Sequence, residues 1–335
     1  MKRVFWVLIG IAVMGGSSLL AQGPPPPPLT QKELVEILKS KDHRAQAPAI
    51  VEQRGVDFEL NPEIEKQLRK AKADDALIAL VKKSGPSARA EHAAASGGPQ
   101  VTPEEGRAIQ AIQNELDPDR ALQLVNEFEL KYPKSTMLTY AYTFAAMAYQ
   151  QKGDLQKVLD YGNKSLQLKS DNLLALLVMA TMTPQPGNLR SGDPDKKLAQ
   201  AEGYANKALQ LIAELPKQPG ETDEQLQTRK AQLAREPHSA LGLIHLERAL
   251  QGLEGVDVTE LGKAEEEYST ATTITSQPNA SDFFRLGEVR ERLKKWAPAV
   301  EAYQKAADND QGVIKGLAEK QIDAIHKVHP AAAKP

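Results

Sequence analysis

The chain has 335 residues and 42 basic against 44 acidic side chains, a formal net charge of −2. Hydrophobic residues make up 41% and charged residues 26%, which is ordinary globular composition. This excludes global disorder, a multi-span membrane protein and a strongly basic nucleic-acid binder. The absence of cysteine removes disulfide frameworks, zinc–thiolate and iron–sulfur sites, and cysteine nucleophiles.

The first segment reads as an address. Lys2 and Arg3 precede an apolar run from Val4 to Met14, loosened at Gly15, Gly16, Ser17 and Ser18 and ending at Ala21. That is the layout of a secretory signal peptide over residues 1–21, cleaved after Ala21. The rival reading is an uncleaved anchor, since the stretch to Ala21 is close to the lower limit of about 17 residues for a span. Loss of Lys2 and Arg3 would lower the 42 basic residues to 40, for a net charge of −4. The chain is therefore expected to be exported, to a bacterial periplasm or outside the cell. Residues 22–28 carry five consecutive prolines, Pro24 to Pro28, and form a stiff polyproline II spacer.

Residues 29–85 show an internal echo. Thr30 with Glu33 has capping-box spacing, and Asn61 precedes a proline at the first helical position. Leu34, Ile37 and Leu38 mark one apolar face, and Ile64, Leu68 and Ala71 mark the other. Each entry is followed by a second short helix, the first closed by Gly55 and the second by Gly85, with both glycines expected in left-handed caps. The two helix–turn–helix units should pack on each other, because neither can bury its apolar face alone. With 11 basic and 10 acidic residues, the unit has no electrostatic footprint for DNA. Residues 86–101, rich in Gly, Ser, Ala and Pro, read as a flexible linker.

From residue 102 to 328 the chain repeats. Ala280–Val313 contains Phe283, Leu286, Gly287, Ala299, Tyr303 and Ala306, with small residues where two helices must approach and aromatics where the gap must be filled. Thr139–Asn172 carries Tyr142, Ala145, Ala146 and Tyr149 in the same register, with weaker residues at Val158, Gly162 and Ser165. Ala121, Val125 and Phe128 mark an earlier unit, Ala201, Ala205 and Ala208 a third, and Leu241, Gly242, Ala264, Tyr268 and Ala271 a fourth. The third and fourth are stretched by insertions around Pro184–Pro194 and Gly255. Val313 to Val328 reads as a capping helix, and residues 329–335 as a disordered tail.

These spacings resemble the tetratricopeptide-repeat family, whose unit is about 34 residues with aromatic-x-x-Leu-Gly-x-x-Tyr followed by Ala-x-x-x-Phe. Residues 29–85 resemble a small helical module found ahead of such arrays in exported bacterial proteins, on Ile50 to Phe58 followed by Leu60-Asn61-Pro62. The resemblance implies an all-α, tetratricopeptide-like superhelical solenoid of helix–turn–helix repeats preceded by a small helical domain. It further implies a concave groove lined by the first helix of each pair. Carried over by register, the partner-binding groove is lined by Gln110, Gln113, Tyr140, Thr143, Met147, Gln150, Ser281, Phe284, Glu288 and Glu291. Repeat packing falls to Tyr142, Ala146, Tyr149, Leu286, Gly287, Ala299, Tyr303 and Ala306. The lysines and asparagines with which the family's chaperone-tail clamp grips a terminal carboxylate are not present at these positions.

Catalytic patterns are not found. There is no Gly-x-Ser-x-Gly and no His-Glu-x-x-His. Gly255 and Gly262-Lys263-Ala264 have the wrong spacing for a phosphate loop, and Ala264 stands where a hydroxyl is needed. His326 and His329 share a helical face and read as part of a solvated tail. The expectation is therefore a non-enzymatic protein–protein interaction or scaffold module of the bacterial cell envelope. It would need no cofactor or metal, and would bind a peptide or partner protein. The alternative is a self-assembling structural subunit, a homo-oligomer of an envelope complex.

Overall fold

The computed structural model describes residues 28–41, 43–88, 101–218, 220–251, 255–276 and 279–330. The expected signal peptide, most of the proline spacer, most of the linker and most of the C-terminal tail lie outside the described residues. Among the described residues the chain is all-α: seventeen helices, one of them a short 3-10 turn, and no strand.

The N-terminal unit consists of α1 (Gln31–Lys39), a 3-10 turn (Arg44–Gln46), α2 (Ala47–Arg54), α3 (Pro62–Lys70) and α4 (Asp75–Lys83). Thr30 caps α1 reciprocally: its Oγ1 accepts from the Glu33 N–H at 3.2 Å, and the Glu33 carboxylate accepts from the Thr30 N–H at 2.7 Å. Asn61 Oδ1 accepts from Glu63 N–H at 3.1 Å and Ile64 N–H at 2.9 Å at the start of α3. One core joins all four helices through Leu34, Leu38, Val51, Leu68, Leu77 and Val81. The chain knots itself at the unit's edge. Leu29 and Val56 form an isolated parallel bridge, and the Leu29 N–H donates to Gly55 O at 2.9 Å. Gly55 takes φ +67° at the end of α2, but Gly85 does not adopt a positive φ. Ser84 closes α4 at φ −102° instead, and its carbonyl accepts from Val56 N–H at 3.1 Å. Tying Ser84 into the knot removes the need for a left-handed cap.

The remaining helices are α5 (Pro103–Asn114), α6 (Pro118–Lys131), α7 (Leu138–Lys152), α8 (Leu155–Leu168), α9 (Leu173–Met182), α10 (Pro186–Leu189), α11 (Pro194–Ala213), α12 (Asp223–Leu250), α13 (Val258–Thr273), α14 (Ala280–Arg292), α15 (Trp296–Asp308) and α16 (Val313–Val328). Local chemistry sets most of these starts. Thr102, Asp117, Asp154, Asn172, Asp193, Thr222, Asp257 and Asn279 each accept a first-turn N–H with the side chain. Pro103, Pro118 and Pro194 sit where a missing N–H costs nothing. Gly153 closes α7 in the left-handed conformation, at φ +76°.

From α5 on, most helices pack against the one before and the one after. Alternate helices also meet: α5 with α7, α7 with α9, and α9 with α12. Close approach is made by pairing nothing with something large. A Cβ at Gly287 in α14 would stand 2.7 Å from the Tyr303 ring of α15. A Cβ at Gly242 in α12 would stand 2.8 Å from the Tyr268 ring of α13. Tyr268 and Tyr303 are among the largest fully buried side chains. At Gly162 in α8 the filler comes instead from the next helix, because a Cβ there would overlap Met179 of α9.

Although proline disfavours a helix interior, the chain runs through Pro237 without interruption as the 28-residue α12. One residue departs from the reading of the sequence. His329 is not part of a solvated tail. It ends α16, and its ring stacks on Trp296 with centroids 3.9 Å apart.

Candidate functional site

The residues singled out by register fall into two groups. On α5 and α7, Gln110 is exposed, and Gln113, Tyr140, Met147 and Gln150 are half-buried. Tyr140 and Met147 pack from outside against the core that includes Ile109, Val125, Phe128 and Ala141, and so does Leu174 of α9. Burial pushes the Tyr140 hydroxyl up from its ordinary pKa, and the Asp171 carboxylate adds to it. Among the described residues, the side chains of Gln110, Gln113, Tyr140 and Gln150 have no hydrogen-bond partner. Half-buried apolar groups beside uncommitted amides and a hydroxyl can bind a peptide backbone and its apolar side chains together.

Thr143 does not belong to this face. It is fully buried and joins a polar hub. Asn172 Nδ2 lies 2.9 Å from Thr143 Oγ1, 3.0 Å from Ser165 Oγ and 3.1 Å from Thr139 Oγ1. Thr143 Oγ1 donates to Thr139 O at 2.9 Å, and Ser165 Oγ donates to the same carbonyl at 2.8 Å. The hub ties α7, α8 and the cap of α9 where neither Thr143 nor Ser165 could reach water. Asn172→Ala should therefore take the shared donor from three buried hydroxyl oxygens and the cap from α9, and lower stability by about 1–3 kcal/mol, measured by urea unfolding. Thr143→Val, which replaces one hydroxyl by a methyl group, should cost less.

The second group, on α14, is already committed apart from the Ser281 side chain. Ser281 is half-buried beside its Asn279 cap, which accepts its N–H at 2.8 Å. Phe284 packs edge-on against Tyr303, with ring centroids 5.3 Å apart. Glu288 accepts from Arg285 at 2.8 Å and from Arg292 at 2.9 Å. Burial raises the Glu288 carboxyl, but the two guanidinium groups hold it below its ordinary value overall. Glu291 accepts from the Tyr303 hydroxyl at 2.9 Å. Phe284 and Glu291 thus serve the seat of Tyr303. Residues assigned to packing are placed as follows: Tyr142, Ala146, Leu286, Gly287, Ala299, Tyr303 and Ala306 are buried, and Tyr149 is half-buried and stacks on Tyr161 at 5.4 Å. Burial, followed by a hydrogen bond to Glu129, pushes the Tyr142 hydroxyl up to about 12.

Leu174 is the residue of this face that the sequence reading passed over. The signal was present. Counting from Leu173 by the register used for Tyr140 gives Leu174 and Leu177, both half-buried, but the proline-rich insertion after α9 obscured the unit.

Ionic clusters lie elsewhere and join helices. His238 Nδ1 is 2.7 Å from Glu267, and His245 Nδ1 is 2.7 Å from Glu260, both between α12 and α13. Asp282 of α14 accepts from Arg235 at 2.9 Å and Ser239 at 2.6 Å, both on α12. Burial pushes the Asp282 carboxyl up against the pull of Arg235. Among the described residues no group of three His, Asp or Glu side chains is arranged to hold a metal, and no helix is long and apolar enough to cross a membrane. Two open depressions lie on the surface, one bordered by Pro194, Asp195, Arg248 and Gln251 and the other by Glu105 and residues 131–136.

What fold and site define is an all-α chain of sequentially packed helices with one face of uncommitted side chains. No protein-family model matches it, and no curated protein is similar enough to count as a relative.

Proposed function

We propose that the chain is a tetratricopeptide-like helical-repeat scaffold of the bacterial cell envelope that binds an extended peptide or a partner protein. Binding falls on the inward face of α5, α7 and α9. The observation that carries the reading is the contrast between two ends of the same register. Gln113, Tyr140 and Gln150 are half-buried beside Met147 and Leu174 with no partner among the described residues, whereas Phe284, Glu288 and Glu291 are used internally. A half-buried polar group without a partner is suited to accept one from another chain. The recurrent glycine-to-tyrosine seats at Gly242–Tyr268 and Gly287–Tyr303 support the repeat reading, since each repeats the same small-against-large approach. Residues 1–21 supply export in this reading.

The test is crosslinking in the native bacterium followed by mass spectrometry, with wild type beside Tyr140→Ala and Gln150→Arg. Each substitution should weaken capture of the partner by about tenfold, the equivalent of about 1.4 kcal/mol, while the unfolding midpoint stays within a few degrees. Capture unchanged by both variants would refute this face, and crosslinks only between copies of the chain would replace the reading with a self-assembling subunit.

A further inference from the structure

The helices from α5 on are not of one length. α5, α6, α7 and α8 have 12, 14, 15 and 14 residues, and α14 and α15 have 13 each. Between them, α11 has 20 and α12 has 28. At 1.5 Å per residue, the extra length of α12 is roughly 20 Å. Its first half pairs with the end of α11, where Leu215, Leu233 and Ala234 share a core with Ala208 and Ile212. The result is a helical hairpin longer than the packing of its neighbours requires, with residues 214–218 and 220–222 at its tip.

That tip is built rigidly. Arg229 Nε donates to Glu221 Oε1 at 2.8 Å, and its Nη2 donates to Glu221 Oε2 at 2.8 Å and to Pro216 O at 2.9 Å. The two side chains are 3% and 9% exposed, so the fork is held out of water. Lys230 Nζ reaches back to Ala213 O at 2.6 Å. A free surface loop needs no such bracing. What the bracing presents is Gly220, at φ +80°, and the N-terminal unit lies against it: a Cβ on Gly220 would stand 2.7 Å from Gln46 Nε2 and 2.9 Å from Gln46 Cδ. Gly220 is thus required for its backbone conformation, and the Gln46 amide fills the space beside it.

A second seat lies far away in sequence. Arg107, in the first turns of α5, donates to Asp57 of the N-terminal unit at 3.2 Å and to Glu104 at 3.1 Å. Asp57 is 17% exposed and follows the backbone knot, its own N–H donating to Leu29 O at 2.9 Å, so the carboxylate is presented from a fixed point. Arg107 and Gly220 each lie at the N-terminal end of a helix that opens a pair, α5 and α12. One small unit touches both.

We propose that the α11–α12 hairpin is an arm that docks the N-terminal four-helix unit of the same chain, so that the unit is clamped between α5 and the arm tip rather than carried free on the segment between residues 88 and 101. The seat at Gly220 is steric and salt-independent. The seat at Asp57–Arg107 is half-exposed and screened by salt. This interface stands whether or not the face around Tyr140 binds a partner.

The absence of cysteine makes the test direct. The double variants Gln46→Cys/Gly220→Cys and Asp57→Cys/Arg107→Cys in the full chain are treated with a short bis-maleimide at low protein concentration. A control pair, Gln46→Cys/Glu301→Cys, places one thiol on α15. Both test pairs should bridge within one molecule, at least about tenfold above the control, with the bridged peptides identified by mass spectrometry. Because Gly220→Cys strains a left-handed position, the second readout is a photo-crosslinking residue at Gln46 alone, which should capture residues 215–222. Bridging no better than the control, together with capture confined to the N-terminal unit, would overturn the proposal. Bridges found only between molecules would overturn it too.

Discussion

Gly287→Ala should destabilise the chain while Gly316→Ala stabilises it, although both are the same substitution inside a helix. Intrinsic propensity favours alanine by about 1 kcal/mol at either position. At Gly316 of α16 nothing lies within 4 Å of the new methyl group, so that preference is realised. At Gly287 the methyl would stand 2.7 Å from Tyr303 Cδ1 and 2.8 Å from Cε1. Tyr303 is fully buried, and its hydroxyl donates to Glu291 at 2.9 Å, so the ring is held at both ends. Overpacking of this kind costs about 1–3 kcal/mol, which exceeds the propensity gain. Tyr303→Ala should cost more, about 3–5 kcal/mol, because it empties the seat and leaves Glu291 without its donor. The two positions share one contact and should not add: Gly287→Ala/Tyr303→Leu should be more stable than the sum of its singles. Urea midpoints of these four variants and of Tyr303→Leu decide it. A Gly287→Ala protein as stable as wild type would mean that the tyrosine ring is free to move aside.

The same seats show which parts of the structure were legible in the sequence. The all-helical character was readable because caps and apolar periodicity are local: Thr30 with Glu33, Asn61 before Pro62, and the succession of Asp and Asn ahead of the later helices all act within a few residues. What escaped was decided by distant neighbours. Gly162 reads as a gap where a large residue is wanted, and only the fold shows Met179 filling it from the next helix. Thr143 was assigned outward by counting, but the residues that enclose it, Ser165 and Asn172, belong to later segments. The helix continues on both sides of Pro237, with Arg235 and Ser239 tied to Asp282 and with buried residues from Ala240 to Leu246 packed against several helices. Gln46 and Gly220 give no signal alone, and they acquire meaning only when the hairpin brings them together. On the candidate face the register locates Gln113, Tyr140, Met147 and Gln150, and it misses Leu174 because the proline-rich insertion that follows α9 obscures the unit that Leu173 opens.

Arg229→Leu should be among the most damaging single changes in the chain, and its cost should depend on pH. The guanidinium is 3% exposed and holds Glu221 by two hydrogen bonds. Removing it takes two hydrogen bonds from a carboxylate that keeps only the Gln218 N–H, at 2.8 Å, and takes the donor from the Pro216 carbonyl, a loss of about 3–5 kcal/mol at neutral pH. The Arg229 fork is the first cause that draws the Glu221 pKa down, from 4.5 to about 2. A carboxyl whose folded pKa is depressed contributes stability above its unfolded value, and that contribution fades as pH falls towards the folded value. Wild type should therefore lose stability between pH 4.5 and about 2 through this group, and Arg229→Leu should lose less over the same range because its Glu221 keeps only the smaller pull of the Gln218 N–H and Lys217. The double variant Arg229→Leu/Glu221→Leu should recover most of the neutral-pH loss, since an apolar pair carries no unpaired charge. It should also be insensitive to acid at this position. Urea unfolding of the three proteins at neutral and acid pH separates the outcomes. A double variant as unstable as Arg229→Leu would show that the hairpin tip needs the fork geometry itself, with its bond to Pro216 O, rather than mere neutralisation of the buried charge.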